Sequence, residues 1–202
     1  MISIGALAAN AAPYKSGQIS TKETFLYGKF RAKVTAPGTK GSCTGFFTQW
    51  SGPNMGPEWN SLEIEIVPSV EGTPLSLDLS YGNGVSRQEG HHTYTDFDAG
   101  SDSHIYEFTW SPNRVTFSVD DKLLKEYKKG DPYVDNANRR QNIQFNMWAP
   151  RSDAHPEADW NKGLDESTFP WYAKMDWVEY YSWDSSSDDF QLQWHDNFDW
   201  LD

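Results

Sequence analysis

The chain has 202 residues, which is the length of one ordinary domain. Its formal net charge of −12 argues against nucleic acid and anionic membranes as partners, and it is compatible with a neutral polysaccharide. The single cysteine, Cys43, excludes an intrachain disulfide and a multi-cysteine metal site, and no apolar run is long enough to span a membrane.

Aromatic residues make up 15% of the chain, with ten Trp and ten Tyr among them. This composition suits either a large β-sheet core or a carbohydrate-binding cleft, in which flat rings stack on sugars. Residues 1–12 have weak signal-peptide features, but they lack a basic start and a long apolar run. We therefore expect them to belong to the folded domain.

Two strands are predicted in the first quarter of the chain. Residues 25–34 alternate between polar and apolar side chains in their second half, and residues 45–50 also have a strand pattern. Phe46 and Trp50 share one predicted face of the second strand. A loop rich in glycine and proline, residues 52–57, leads to the next strand.

Residues 59–67 alternate strictly, with polar Ser61, Glu63 and Glu65 at every second position and aliphatic side chains between them. Strict alternation predicts a β-strand with one buried face. The backbones of Glu63 and Glu65 would then lie roughly 7 Å apart. Like charges this close raise each other's pKa, which is one way to make a general acid. The alternative is the solvated face of an edge strand.

Further strands are predicted towards the middle of the chain. Residues 75–81 alternate, with Asp78 on the polar face, and a turn sequence follows them. Residues 103–112 and 114–122 are expected to be two further strands, because they resemble consecutive strands of the family identified below. The basic segment 122–129 predicts a solvated edge strand.

The last third of the chain contains two more candidate strands and a polar tail. Residues 142–148 place Gln144, Asn146 and Trp148 on one face. Trp160 lies in the segment between this strand and the next, residues 172–180.

The central strand, with Ser61, Glu63 and Glu65 after Trp59, resembles the active-site strand of glycoside hydrolase family 16. That family carries Glu-x-Asp-x-Glu after a tryptophan. The resemblance implies that Glu65 is the acid/base residue and that Glu63, in place of the middle Asp, tunes its neighbours. Ser61 falls on the nucleophile position, where a retaining glycosidase uses a carboxylate.

Other segments resemble the same family. Residues 142–148 are similar to its Met-Asn-Leu-Trp strand, in which the Asn and the Trp contact sugar. The resemblance implies substrate-binding roles for Phe46, Trp50, Trp59, Asp78, Gln144, Asn146, Trp148 and Trp160. A place in the hydrophobic core is the alternative for Phe46 and Trp148.

The resemblance also bears on metal binding. Asp176 falls where many members of the family bind a structural calcium ion, and a carboxylate with backbone oxygens is a suitable ligand set for a hard cation. We therefore expect a structural calcium at Asp176 as the one cofactor, and none that the reaction requires.

The tail, residues 190–198, resembles the Phe-x-Leu-x-Trp-x-Asp-x-Phe segment that normally opens a domain of this family. We therefore interpret residues 1–202 as one circularly permuted domain, similar to the 1,3-1,4-β-glucanases (lichenases) of the family. Residues 183–189 are then a linker, and residues 190–202 supply the strand that normally comes first. The alternative is that the tail begins a second, truncated copy.

These resemblances imply an all-β fold, a concave β-jelly-roll sandwich of two antiparallel sheets. The implied function is an endo-acting, retaining β-glucan hydrolase scaffold. Mixed-linkage β-1,3-1,4-glucan is favoured because no extra residue interrupts the spacing from Ser61 to Glu65. We expect an extracellular monomer that binds β-glucan polysaccharide or oligosaccharide.

Ser61 predicts that hydrolysis is lost, through an introduced Glu→Ser change or through natural divergence. The otherwise intact site favours the introduced change. Two other functions stay open: a non-catalytic, lectin-like carbohydrate-binding module on the same sandwich, and a laminarin or red-algal galactan hydrolase.

Overall fold

The computed structural model of the chain describes residues 2–4, 14–50, 52, 57–68, 75–94, 98–100, 102–150 and 164–199. Within these residues, the chain forms two antiparallel β-sheets. A short α-helix, α1 (Pro132–Asp135), and a 3-10 turn (Glu166–Thr168) are the helical elements. No helix in the described ranges is long and apolar enough to cross a membrane.

The first sheet has seven strands. In spatial order they are β1 (Ile2–Ile4), β2 (Gly17–Thr21), β11 (Asn142–Trp148), β4 (Cys43–Gln49), β5 (Asn60–Ile66), β6 (Leu75–Gly82) and β7 (Arg87–Tyr94).

The second sheet has six strands. In spatial order they are β10 (Lys122–Lys128), β9 (Arg114–Val119), β8 (Ser103–Trp110), β3 (Gly28–Thr35), β12 (Lys174–Asp184) and β13 (Asp189–Asp196).

The sheets pack face to face because each carries an apolar face made by alternate residues. Phe108 of the second sheet joins the layers, since its ring lies 5.1 Å from Phe46 of β4 and 5.1 Å from Phe30 of β3. The aliphatic residues of β5 fill the same layer, and all are buried: Leu62, Ile64 and Ile66. The predicted all-β sandwich of two antiparallel sheets is therefore confirmed.

The central position of β5 excludes the alternative of an edge strand, because β4 and β6 pair with it on both sides. The basic strand β10 does lie at an edge of the second sheet, as predicted.

The tail is a β-strand that pairs with the strand before it. Residues 183–189 are the tip of a hairpin, in which β12 continues to Asp184 and β13 begins at Asp189. Only residues 185–188 lie between the paired strands. The tail forms a strand despite its polar composition, because β13 pairs with β12 along most of its length, with one irregularity between Tyr180 and Tyr181.

We expect Phe46→Ala to lower the free energy of unfolding by about 3–5 kcal/mol, because it empties a ring-sized volume between the sheets. Urea denaturation measures this change. Leu123→Ala is the matched control, since Leu123 is 56% exposed at the edge strand and its loss should be within about 0.5 kcal/mol. Equal costs for the two variants would contradict the packing described here.

Candidate active site

The outer face of the first sheet carries the polar side chains of β5, and we call it the carboxylate face. It contains Ser61, Glu63 and Glu65, because directly paired and alternate residues of a sheet share one face. Glu63 lies opposite Phe47 of β4 and Asp78 of β6. The strand register therefore places a third carboxylate beside the predicted pair.

Ser61, at the predicted nucleophile position, is fully buried at the start of this row. The indole Nε1 of Trp59 donates a hydrogen bond of 2.7 Å to its Oγ. The Ser61 side chain also hydrogen-bonds Glu63. The hydroxyl is thus held between a donor and a carboxyl group, and it offers no carboxylate of its own.

Burial raises the pKa of Glu63 to about 7, and the charges of Asp78 and Glu89 act in the same direction. The hydrogen bond with Ser61 and the positive charge of Arg87 oppose the rise. Arg87 Nη2 lies 3.5 Å from Glu63 Oε1. A pKa this far above the ordinary range is unusual for a glutamate.

The pKa of Glu65 is raised as well. Burial raises its pKa well above the usual range, and the charges of Glu63 and Asp78 raise it further. The Sγ of Cys43 lies 3.9 Å from Glu65 Oε1, as a weak thiol donor. A carboxyl group whose pKa is raised in this way holds its proton to higher pH, which suits a general acid.

Asp78 is almost completely buried, with 3% of its side chain exposed. Two neighbours bind its carboxyl oxygens: Ser76 Oγ donates at 2.5 Å, and His91 Nδ1 lies at 2.7 Å. These contacts offset the cost of burying a charge beside Glu63.

Arg87 of the edge strand β7 connects several groups on this face. Its guanidinium lies 4.2 Å from the centre of the Trp59 ring, a cation–π distance. Its Nη2 donates to Ser80 Oγ at 3.1 Å and to Glu89 Oε1 at 2.9 Å. Arg87 thus supplies positive charge beside Glu63 and holds the Trp59 ring over the face.

Strand β11 adds amide side chains on the other side of β5. Gln144 Oε1 accepts a hydrogen bond of 2.7 Å from Gln18 Nε2. Asn146 lies opposite Gly45, which in turn lies opposite Glu65. Asn146 Oδ1 is buried and accepts no hydrogen bond from the described residues, which is unusual for a buried amide oxygen.

Gly45 makes the position of Asn146 sterically feasible. A Cβ at residue 45 would lie 2.7 Å from Asn146 Oδ1, which is closer than real Cβ atoms approach. Trp148, the next residue of β11 on this face, lies opposite Cys43. The structure therefore brings Gln144, Asn146 and Trp148 to the same face as Glu65.

Some predicted site residues lie elsewhere. Phe46 does not line the carboxylate face, and that prediction is wrong: it packs against Phe108 because its register partner Ile64 faces the core. Trp50 lies directly after β4, with the Arg139 guanidinium 4.9 Å from its ring centre. Trp160 lies outside the described residues.

Sequence reasoning missed Arg87, Gln18, Gly45 and Cys43 as parts of this face. Gln18 comes from a strand far away in sequence, so only the pairing order reveals it, whereas Arg87 lies two strands further along the chain from β5. Gly45 and Cys43 could have been predicted from the sequence, because alternation places them on the same face of β4 as Phe47. The alternation of β4 did not predict which face Phe46 occupies, because almost all residues of this strand are buried, whichever face they are on.

The surroundings of Asp176 do not fit the predicted calcium ion. Lys174 Nζ lies 2.5 Å from its Oδ1, and Lys33 Nζ lies 3.5 Å from its Oδ2. The hydrogen bond and charge of Lys174, with the charge of Lys33, lower the pKa of Asp176. A cation would have to displace two ammonium groups. No group of three or more His, Cys, Asp or Glu side chains suited to a metal is found among the described residues.

The sequence model of glycosyl hydrolases family 16 matches residues 3–179 of the chain. The chain is 31% identical to a beta-glucanase of Acetivibrio thermocellus over 169 residues, which are 84% of this chain and 46% of that protein. It is 28% identical to a beta-glucanase of Fibrobacter succinogenes over 174 residues, 85% of this chain and 48% of that protein. The chain thus spans about half the length of these relatives.

Solved structures have the same jelly-roll sandwich. A Bacillus licheniformis beta-glucanase superimposes with a TM-score of 0.64 at 26% identity, covering 81% of this chain and 70% of that one. A prokaryotic beta-1,3-1,4-glucanase (lichenase) from a mouse hindgut metagenome has a TM-score of 0.66 at 24% identity, covering 89% and 78%. The similarity to the lichenase structure, at 24% identity, shows a shared fold.

We expect Asp78→Asn to lower the pKa of Glu63 below about 7, because the Asp78 charge disfavours the ionised form of Glu63. The pKa is measured from the pH dependence of the side-chain carboxyl carbon in NMR, with Glu63→Gln used to assign the signal. Asp121→Asn is the control, since Asp121 lies on the second sheet near Arg31. An unchanged Glu63 titration in Asp78→Asn would refute the electrostatic link.

Proposed function

The chain belongs to glycosyl hydrolases family 16, and we propose that it carries the substrate groove of an endo-acting, retaining β-glucanase whose hydrolytic step is disabled at Ser61. The observation that carries the proposal is the row of Ser61, Glu63 and Glu65 on one face, with both carboxyl pKa values raised. The names of the relatives support a β-glucan as the substrate.

Glu65 has the properties that the acid/base role needs. In a retaining mechanism this residue first protonates the leaving glycosidic oxygen and then takes a proton from water. Its raised pKa keeps the proton available for the first step. Glu63 hydrogen-bonds position 61 and, with its charge, raises the pKa of Glu65.

Ser61 lacks the group that would attack the anomeric carbon. A carboxylate both attacks and leaves, whereas a serine ether of the sugar would leave poorly. The Ser61 hydroxyl is also already engaged by Trp59 and Glu63. We therefore propose that the chain binds glucan and turns it over very slowly.

We propose mixed-linkage β-1,3-1,4-glucan as the substrate, bound by Trp59, Gln144, Asn146 and Trp148. The regular pairing of β5 with β4 from Ser61 to Glu65, without a bulge, supports this choice. Laminarin and red-algal galactans are the comparison substrates in the assays below. An extracellular monomer is part of the same proposal.

The pairing of β13 with β12 supports a circularly permuted order in one domain. The tail strand completes an edge of the second sheet through a turn of residues 185–188.

A lectin-like binding module is the second candidate function, and the engaged hydroxyl of Ser61 favours it. The retention of buried carboxyls at Glu63 and Glu65 opposes it, because a sugar-binding face has no need of their raised pKa values.

Ser61→Glu should increase the rate of lichenan hydrolysis by at least about three orders of magnitude, because removing one member of a catalytic set commonly costs that much. Reducing-sugar release measures the rate, and circular dichroism checks the fold. Ser86→Glu is the matched control, since it adds the same carboxylate at an exposed turn.

Adding Glu65→Gln to Ser61→Glu should abolish the gained activity. The contrary outcome is a folded Ser61→Glu variant that binds lichenan but hydrolyses none of lichenan, laminarin and agar. In that case the nucleophile assignment is wrong and the lectin-like function is favoured.

Gly45→Ala should weaken the binding of a mixed-linkage tetrasaccharide by about tenfold, because the new Cβ pushes away the Asn146 amide that we assign to a sugar hydroxyl. Isothermal titration calorimetry measures the affinity. Gly17→Ala is the control, since no atom lies within 4 Å of a Cβ added there. The same affinity in both variants would remove Asn146 from the binding site.

A further inference from the structure

Beyond the carboxylate face, a cavity of about 440 Å³ lies at the end of β11. Its lining includes four aromatic side chains, and the rings come from three separate parts of the chain: Tyr14, Trp148, Phe169 and Trp171. We propose that this cavity is an additional sugar-binding subsite that receives a distal glucose unit of the β-glucan chain. The inference rests on the proposed function and extends it.

Three of the rings form one continuous cluster. The centre of the Phe169 ring lies 4.5 Å from that of Tyr14 and 4.4 Å from that of Trp171, with interplanar angles of 41° and 45°. The Trp171 Nε1 donates a hydrogen bond of 2.7 Å to Thr168 Oγ1, which fixes the orientation of the indole. The wall of the cavity is therefore ordered before any ligand arrives, which reduces the entropy lost on binding.

Trp148 connects the cavity to the carboxylate face. It lies opposite Cys43, whose Sγ is 3.9 Å from Glu65 Oε1, and it also lines the cavity. Trp148 follows Asn146 by two residues, which is roughly 7 Å along the strand. A glucan bound at Asn146 and Trp148 would thus reach the cavity as it continues past Glu65.

The chemistry of the described lining suits an amphipathic ligand that carries no positive charge. The described lining residues include no carboxylate, so a cationic ligand would find no counter-charge. Aromatic faces suit the C–H faces of a glucose ring, and the ammonium group of Lys15 provides a donor for its hydroxyls. The volume lies within the range of small-ligand sites, about 300–1,000 Å³.

The test is the dependence of affinity on the length of the ligand. Isothermal titration calorimetry is performed on the full chain with a mixed-linkage trisaccharide and with a mixed-linkage hexasaccharide. Tyr14→Ala should weaken hexasaccharide binding by about tenfold and leave trisaccharide binding unchanged, because only the longer chain reaches the cavity. Tyr14→Phe, which keeps the ring, should bind the hexasaccharide as the parent does.

Tyr172→Ala is the matched control, because Tyr172 adjoins Trp171 in sequence but is 77% exposed and does not line the cavity. Thermal melting of each variant checks that it is folded. Equal hexasaccharide affinity in the parent and in a folded Tyr14→Ala would overturn the subsite, while trisaccharide binding would leave the proposed function intact. No binding of either ligand by the parent would overturn both.

Discussion

The two-residue period of β5, set in the middle of a seven-stranded sheet, determines most of this structure. It sends Leu62 and Ile64 into the layer between the sheets and sends Glu63 and Glu65 to the opposite face. Because β5 is paired on both sides, those carboxyls are crowded by neighbouring strands and lose water. The same alternation thus supplies the core and raises the pKa values of the site.

Burying three carboxyl groups side by side costs free energy, and the protein offsets that cost locally. Arg87 places a positive charge near Glu63, while Ser76 and His91 bind the oxygens of Asp78. A stable β-sandwich does not require such a group of buried carboxyls. Perturbed carboxyls held by specific partners are typical of acid–base sites, which is why their retention beside Ser61 points to an enzyme scaffold.

The proposed glucan groove is a composite of strands that are distant in sequence. Asn146 of β11 lies beside Glu65 only because Gly45 separates them without a side chain. Trp148 continues the same row towards the aromatic cavity. A ligand that spans the row would therefore contact rigid strands along most of its length, and this favours a defined register for a long polysaccharide.

The sequence by itself determined the sandwich, the shared face of Glu63 and Glu65, and the strand carrying Asn146, because these depend only on residue period and local motifs. It did not determine which way the Phe46 side chain points, since β4 is buried on both faces and its pattern does not distinguish one face from the other. Arg87, the lysines at Asp176 and the Tyr14 cavity wall became visible only in the tertiary structure. Strand order and register bring these residues together across long sequence separations, and neither can be derived from the local pattern of any one segment.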